Sequence, residues 1–94
     1  MPNKISEYDA AVGSNLDYGF KWRLREGESI LSSTWTVVKG AVTVSADQID
    51  GAITACFLEP SVVNSIVMVV NQITTDNDPP RVDSRIIVLS VKRR

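Results

Sequence analysis

The stretch SIVMVVNQITT, residues 65–75, decides the fold. Five apolar residues, Ile66 to Val70, follow one another with no alternation to mark a wet face. A membrane helix needs about 20 consecutive apolar residues, and no longer unbroken apolar run exists in this chain. A buried helix is disfavoured too, because the run is short, bounded by polar segments and mostly β-branched. Residues 66–74 are therefore predicted to form a strand. Its faces carry Val67, Val69, Asn71 and Ile73 on one side, and Ile66, Met68, Val70 and Gln72 on the other.

The closing segment SRIIVLSVKRR, residues 84–94, has the same peculiarity. Ile87, Leu89 and Val91 share one face, and Ile86 and Val88 the other. The loop between the two segments is short enough for an antiparallel hairpin. With Asn71 opposite Ile87, Val67 would meet Val91 and Val69 would meet Leu89 on the core side. Val70 would then oppose Val88 outside, beside Met68 and Ile86. Antiparallel strands usually turn polar residues to water, so an outer face bearing Ile66, Met68, Val70, Ile86 and Val88 calls for an explanation. Three remain open. The patch meets a protein partner or a second copy, the N-terminal segment folds over it, or it is simply tolerated in water.

Working outward, LDYGFKW (16–22) alternates strictly, with Leu16, Tyr18, Phe20 and Trp22 expected on the core side. REGES (25–29) is a turn around Gly27. ILSSTWTVV (30–38) sets Trp35 and Val37 against Thr34 and Thr36, and Lys39-Gly40 ends it. AVTVSA (41–46) follows with Val42 and Val44 inward, DQIDG (47–51) reads as a turn, and AITACFL (52–58) as a strand. EPSVVNS (59–65) and DNDPPRVD (76–83) are loops. Six strands result, with a seventh if residues 5–12 pair along an edge. The fold class is all-β, an immunoglobulin-like two-sheet β-sandwich, with a small barrel or a jelly roll as alternatives. Residues 1–15 read as an N-terminal arm or edge strand and residues 16–94 as the sandwich domain.

The composition suits a single globular domain: 94 residues, 44% apolar and 22% charged. A formal net charge of −1 lacks the basic excess of a nucleic-acid binder and leaves little self-repulsion against association. The chain has no histidine, which removes the usual general base, the Ser-His-Asp triad and most zinc sites. Cys56, the one cysteine, cannot form an intrachain disulfide and reads as a small buried hydrophobe. The N-terminus MPNKISEYDAAVG has no apolar run of signal-peptide type, so no signal peptide and synthesis in the cytoplasm are expected.

Other chemistry is thin. The glycines at 13, 19, 27, 40 and 51 are too dispersed for a phosphate loop. Asp76, Asn77, Asp78 and Asp83 crowd one segment but lack the spacing of a calcium loop, and such residues commonly form turns. Glu26 and Glu28 flank a turn glycine and read as solvated. Lys21, Arg23 and Arg25, with Lys92 to Arg94, suggest a basic stripe and a basic end, best read as solvated charges protecting an edge. Trp22 and Trp35 are expected to anchor the core, leaving no ring free to stack on sugar or base. No catalytic, cofactor or metal residues are assigned, and no nucleic-acid or membrane partner is expected.

The segments DYGFKW, EGES, SSTWTV, NQITT and DSRIIVLSVKRR together resemble a family of small immunoglobulin-like structural proteins of tailed bacteriophages and prophages, of fibre-tail adaptor type. The resemblance spans residues 16–94. Two departures stand out: a shorter stretch between Trp22 and Glu26, and DNDPP where a Gly- or Ser-rich hairpin turn is usual. What the resemblance implies is a non-enzymatic virion component, present in several copies, that docks to phage structural proteins of the capsid, neck, tail or fibre. An immunoglobulin-like module recognising carbohydrate or a cell surface is the alternative. The expected contact surface is Ile66, Met68, Val70, Ile86 and Val88.

Overall fold

Strand follows strand through the whole computed structural model, which describes residues 4–93. In chain order they are β1 (Lys4–Ala11), β2 (Leu16–Lys21), β3 (Ile30–Lys39), β4 (Val42–Asp50), β5 (Ile53–Pro60), β6 (Ile66–Thr75) and β7 (Val82–Lys92). They form a four-stranded sheet, β1-β7-β6-β3, and a three-stranded sheet, β2-β5-β4. With the strands lettered A to G, the second sheet is B-E-D and three strands of the first are G-F-C, as in an immunoglobulin constant-type sandwich. The first strand joins the G edge instead of the B edge, and it runs parallel to β7.

The core lies where the inward residues of both sheets meet. Val67, Val69 and Ile73 of β6 and Ile87, Leu89 and Val91 of β7 are buried, as are Phe20, Cys56 and Leu58 from the smaller sheet. Phe20 is the aromatic pivot: Trp22 meets it edge-on at 5.9 Å, and Trp35 stacks on it at 6.1 Å. Beside β1, the Tyr8 and Tyr18 rings close that flank of the sandwich at 5.3 Å. Burial pushes the Cys56 thiol up to about 12, with the Asp47 charge adding to the shift, so the thiol stays protonated inside the core.

A chain of side-chain hydrogen bonds pins the two sheets together. The Trp22 indole N–H donates to Thr54 Oγ1 at 2.9 Å, and the Thr54 hydroxyl donates to Asn71 Oδ1. Asn71 Nδ2 then donates to Ser33 Oγ at 2.8 Å and to the Thr34 carbonyl at 3.0 Å. Thr54 and Asn71 are fully buried, so each bond satisfies a group that would otherwise carry a desolvation cost. The network joins Trp22, just past the end of β2, to β5, β6 and β3 near the middle of the sandwich. In antibody domains a disulfide links strands B and F here; this chain uses polar side chains.

Some expectations about register, burial and strand extent need correction. The β6–β7 register is two residues away from the predicted one: Asn71 faces Arg85, Val69 faces Ile87 and Val67 faces Leu89. Because the slip is even, no side chain changes face. Leu16, expected inside, is 53% exposed, because β2 begins there at the rim of its sheet. Residues 47–50, expected as a turn, belong to β4, which passes through a bulge between Ser45 and Gln48 with Ala46 at φ 51°. The bulge absorbs the polar residues without ending the strand.

Candidate docking surface

The outward residues of the four-stranded sheet form rows that can be read across all four strands. One row runs Glu7, Val88, Met68, Lys39; the next runs Ile5, Ile86, Val70, Thr36. A third row joins Asp9, Ser90 and Ile66. Towards the other end the face turns polar with Ser84, Gln72 and Thr34. All five residues expected at a contact surface, Ile66, Met68, Val70, Ile86 and Val88, therefore lie side by side. Ile66 is 41% exposed and the other four are half-buried by their neighbours in the sheet.

Among the described residues, the N-terminal segment does not cover this face. Lys4–Ala11 lies in the plane of the sheet, paired to β7, and lengthens the face by one strand. Its pairing brings Ile5, which is 57% exposed, next to Ile86, extending the apolar stripe. It also adds a negative rim, Glu7 and Asp9. The opposite rim carries Lys39, held at its place by a bulge between Val37 and Lys39. Gly40 fixes the end of that strand: it adopts φ +89°, and a Cβ there would sit 2.6 Å from the Ile66 carbonyl oxygen. The contributions of Ile5, Glu7 and Lys39 depend on strand order and a bulge, and alternation within one segment gives no sign of either.

The loops at one end of the sandwich form a second, rigid feature. Arg81 Nη2 reaches Glu28 Oε1 at 2.7 Å and Arg81 Nε donates to Oε2 at 3.1 Å, a two-point pair. The backbone N–H of Arg25 donates to Glu28 Oε1 at 2.8 Å. These bonds, those from Arg81 first, hold the Glu28 carboxyl down at about 2, although burial opposes the shift. Glu28, expected as a solvated turn residue, thus has a fully buried side chain that ties residues 22–29 to residues 76–81. Asp76 and Ser29 complete the seam, with the Ser29 N–H donating to Asp76 Oδ1 at 2.8 Å and the Asp76 N–H to the Ser29 carbonyl at 3.0 Å.

Three of the four Asp and Asn side chains of the DNDPPRVD segment are engaged within the chain. Asp76 accepts from Ser29, Asn77 Oδ1 accepts from the Thr75 hydroxyl, and Asp83 Oδ1 accepts from the Ser84 N–H. Among the described residues no three His, Cys, Asp or Glu side chains gather as metal ligands. Nor do Lys21, Arg23 and Arg25 make a stripe on one strand: Lys21 ends β2, and the two arginines lie in the following loop. Arg94 of the basic end lies outside the described residues. Lys21, Trp22, Arg23, Leu24 and Ala52 line an open cleft of about 500 Å3. Trp22 offers no platform there. It is 4% exposed, and the Arg85 guanidinium sits 4.4 Å from its ring centre, a cation–π contact that sequence alternation did not disclose.

Comparison with known proteins agrees with the architecture and supplies a family. A family model described as "Podophage GP4 fiber-tail adaptor protein gp77" matches residues 11–90. No curated protein sequence matches the chain. Among solved structures, the chain resembles a nucleoside hydrolase-related hypothetical protein from Saccharophagus degradans that is associated with carbohydrate metabolism. The TM-score is 0.70 at 14% identity, over 94% of this chain. The chain spans 22% of that protein's length, and at this identity the likeness is one of fold.

Proposed function

The chain belongs to the podophage fibre-tail adaptor family, and from that premise we propose that it docks to a structural protein of the particle through the outer face of its four-stranded sheet. It is made in the host cytoplasm, carries out no reaction of its own, and joins the virion by burying that face. One observation carries the reading: Ile66, Met68, Val70, Ile86 and Val88 form one apolar stripe, and Lys4–Ala11 lies beside it and not over it. At roughly 25 cal/mol per Å2, burying a few hundred Å2 of such surface contributes several kcal/mol before the costs of association. A repeated assembly multiplies that gain across its copies.

The test replaces the centre of the stripe by charge. A chain carrying Val70→Lys and Val88→Lys should fold, since both side chains point away from the core, but should be missing from purified particles. Folding is checked by circular dichroism and incorporation by quantitative immunoblot against the major capsid protein. Incorporation at the wild-type level would overturn the reading.

A further inference from the structure

We infer that the occupant of the outer face is a second copy of this chain, packed sheet on sheet about a two-fold axis parallel to the strands. The inference rests on the outer face being a docking surface, and it names the partner. Self-complementarity of the rows carries it. The axis passes between β7 and β6, so the rotation lays β1 of one copy over β3 of the other and β7 over β6. Strand heights are kept, and each row meets itself reversed. Val88 then covers Met68, Ile86 covers Val70, and Ile5 covers Thr36. Glu7 of each copy meets Lys39 of the other, twice by symmetry.

Charge selects this arrangement over its rival. A two-fold axis across the strands would lay β1 over β1 and set Glu7 and Asp9 against their own copies. Glu7 and Lys39 are both exposed, and neither side chain has a hydrogen-bond or ion-pair partner among the described residues, so both are free for a contact between copies. Aligned sheets pack about 30° apart, which moves an outer strand about 7 Å from the axis by roughly 4 Å along its length. A lysine stem spans that offset.

Size sets the expected strength. Four strands about 4.8 Å apart, over about eight residues each, give a face of roughly 500 Å2 per copy, near 1,000 Å2 in total. That is the lower limit for a specific interface, so the dimer forms weakly and with clear dependence on concentration. The two ion pairs fix alignment more than they add affinity.

Charge-swapped chains test this by sedimentation equilibrium. Wild type should dimerise with rising concentration and dissociate as salt increases. Glu7→Lys places lysine against lysine at both rims, and Lys39→Glu places carboxylate against carboxylate. Each alone should weaken the dimer by about tenfold or more. An equimolar mixture of the two variants should restore it, because both rims of the mixed pair are then opposite in charge. Substitution at these exposed edge positions leaves the core untouched, and circular dichroism verifies the fold. If either swap unfolds the chain, Glu7→Gln and Lys39→Gln replace them, and each should weaken the dimer and flatten its salt dependence. A wild type that is monomeric throughout, a dimer indifferent to the substitutions, or swaps that fail to recover on mixing would each overturn the inference. Monomeric wild type with Val70→Lys plus Val88→Lys still excluded from particles would remove the second copy and leave the adaptor reading. Dimerisation as described, with that double variant entering particles normally, would instead remove the adaptor docking.

Discussion

Thr54 shows how much one hydroxyl can hold. It accepts from Trp22 and donates to Asn71, and so links the smaller sheet to the larger. Replacing it by valine keeps the shape and removes both bonds. The indole N–H and the Asn71 amide oxygen would then be buried with one partner fewer. At about 1–3 kcal/mol for each buried group left unsatisfied, Thr54→Val should lower unfolding free energy by about 2–4 kcal/mol, read from urea denaturation. A loss within about 0.5 kcal/mol of zero, as surface substitutions give, would show that the network is not a structural pin. Asn71 itself was readable as a core-facing residue of its strand. Its partners were not, since Thr54 and Ser33 lie in other strands whose register no local pattern fixes.

Among the elements, the loops between β2 and β3 and between β6 and β7 act as one unit through Glu28 and Arg81. Glu28 titrates at about 2 in the folded chain, against an ordinary value of 4.5. Its folded value is depressed, so its contribution to stability is fully present above about pH 4.5 and declines as pH falls towards 2. Glu28→Gln should therefore be less stable than wild type at neutral pH, with the difference shrinking across that interval. Thermal unfolding from pH 7 to pH 2 checks this; a constant difference over the whole range would mean that the carboxylate charge is irrelevant to the seam. The reading of Glu28 as solvated failed for a definite reason. Its burial is imposed by Arg81, more than 50 residues away, and a turn glycine beside it says nothing about that. The strands themselves were legible where alternation or β-branched runs were strong, as in β2, β6 and β7. Legibility ended at β4, whose bulge lets Asp47, Gln48 and Asp50 remain in a strand.

For the molecule as a whole, the two-sheet architecture followed from the count and spacing of strands, and the apolar outer face from residues 66–70 and 86–88 taken together. An even register error preserved that face, which is why its five residues were identifiable with the wrong pairing. Which way the N-terminal segment would go was not legible. A parallel edge strand and a folded-back cover demand the same mildly apolar sequence, and only the pairing of β1 to β7 separates them. That pairing sets β1 beside the stripe and not over it, and it gives the stripe an acidic rim with Lys39 opposite. A family of adaptors and an apolar face with charged borders fit one physical account, in which a small rigid sandwich contributes a flat surface to an assembly.

Met68 allows the central claim to be measured directly, since it lies mid-row on the outer face and Met1 is the only other methionine in the chain. Hydroxyl-radical footprinting would compare its oxidation in the free chain, at concentrations low enough for monomer, with that in intact particles. Strong protection of Met68 in the particle, with Phe57 on the outer side of the other sheet labelled equally in both states, is the result expected. Equal oxidation of Met68 in the free chain and in the particle would contradict the account, because the face said to be buried on assembly would still be open to water.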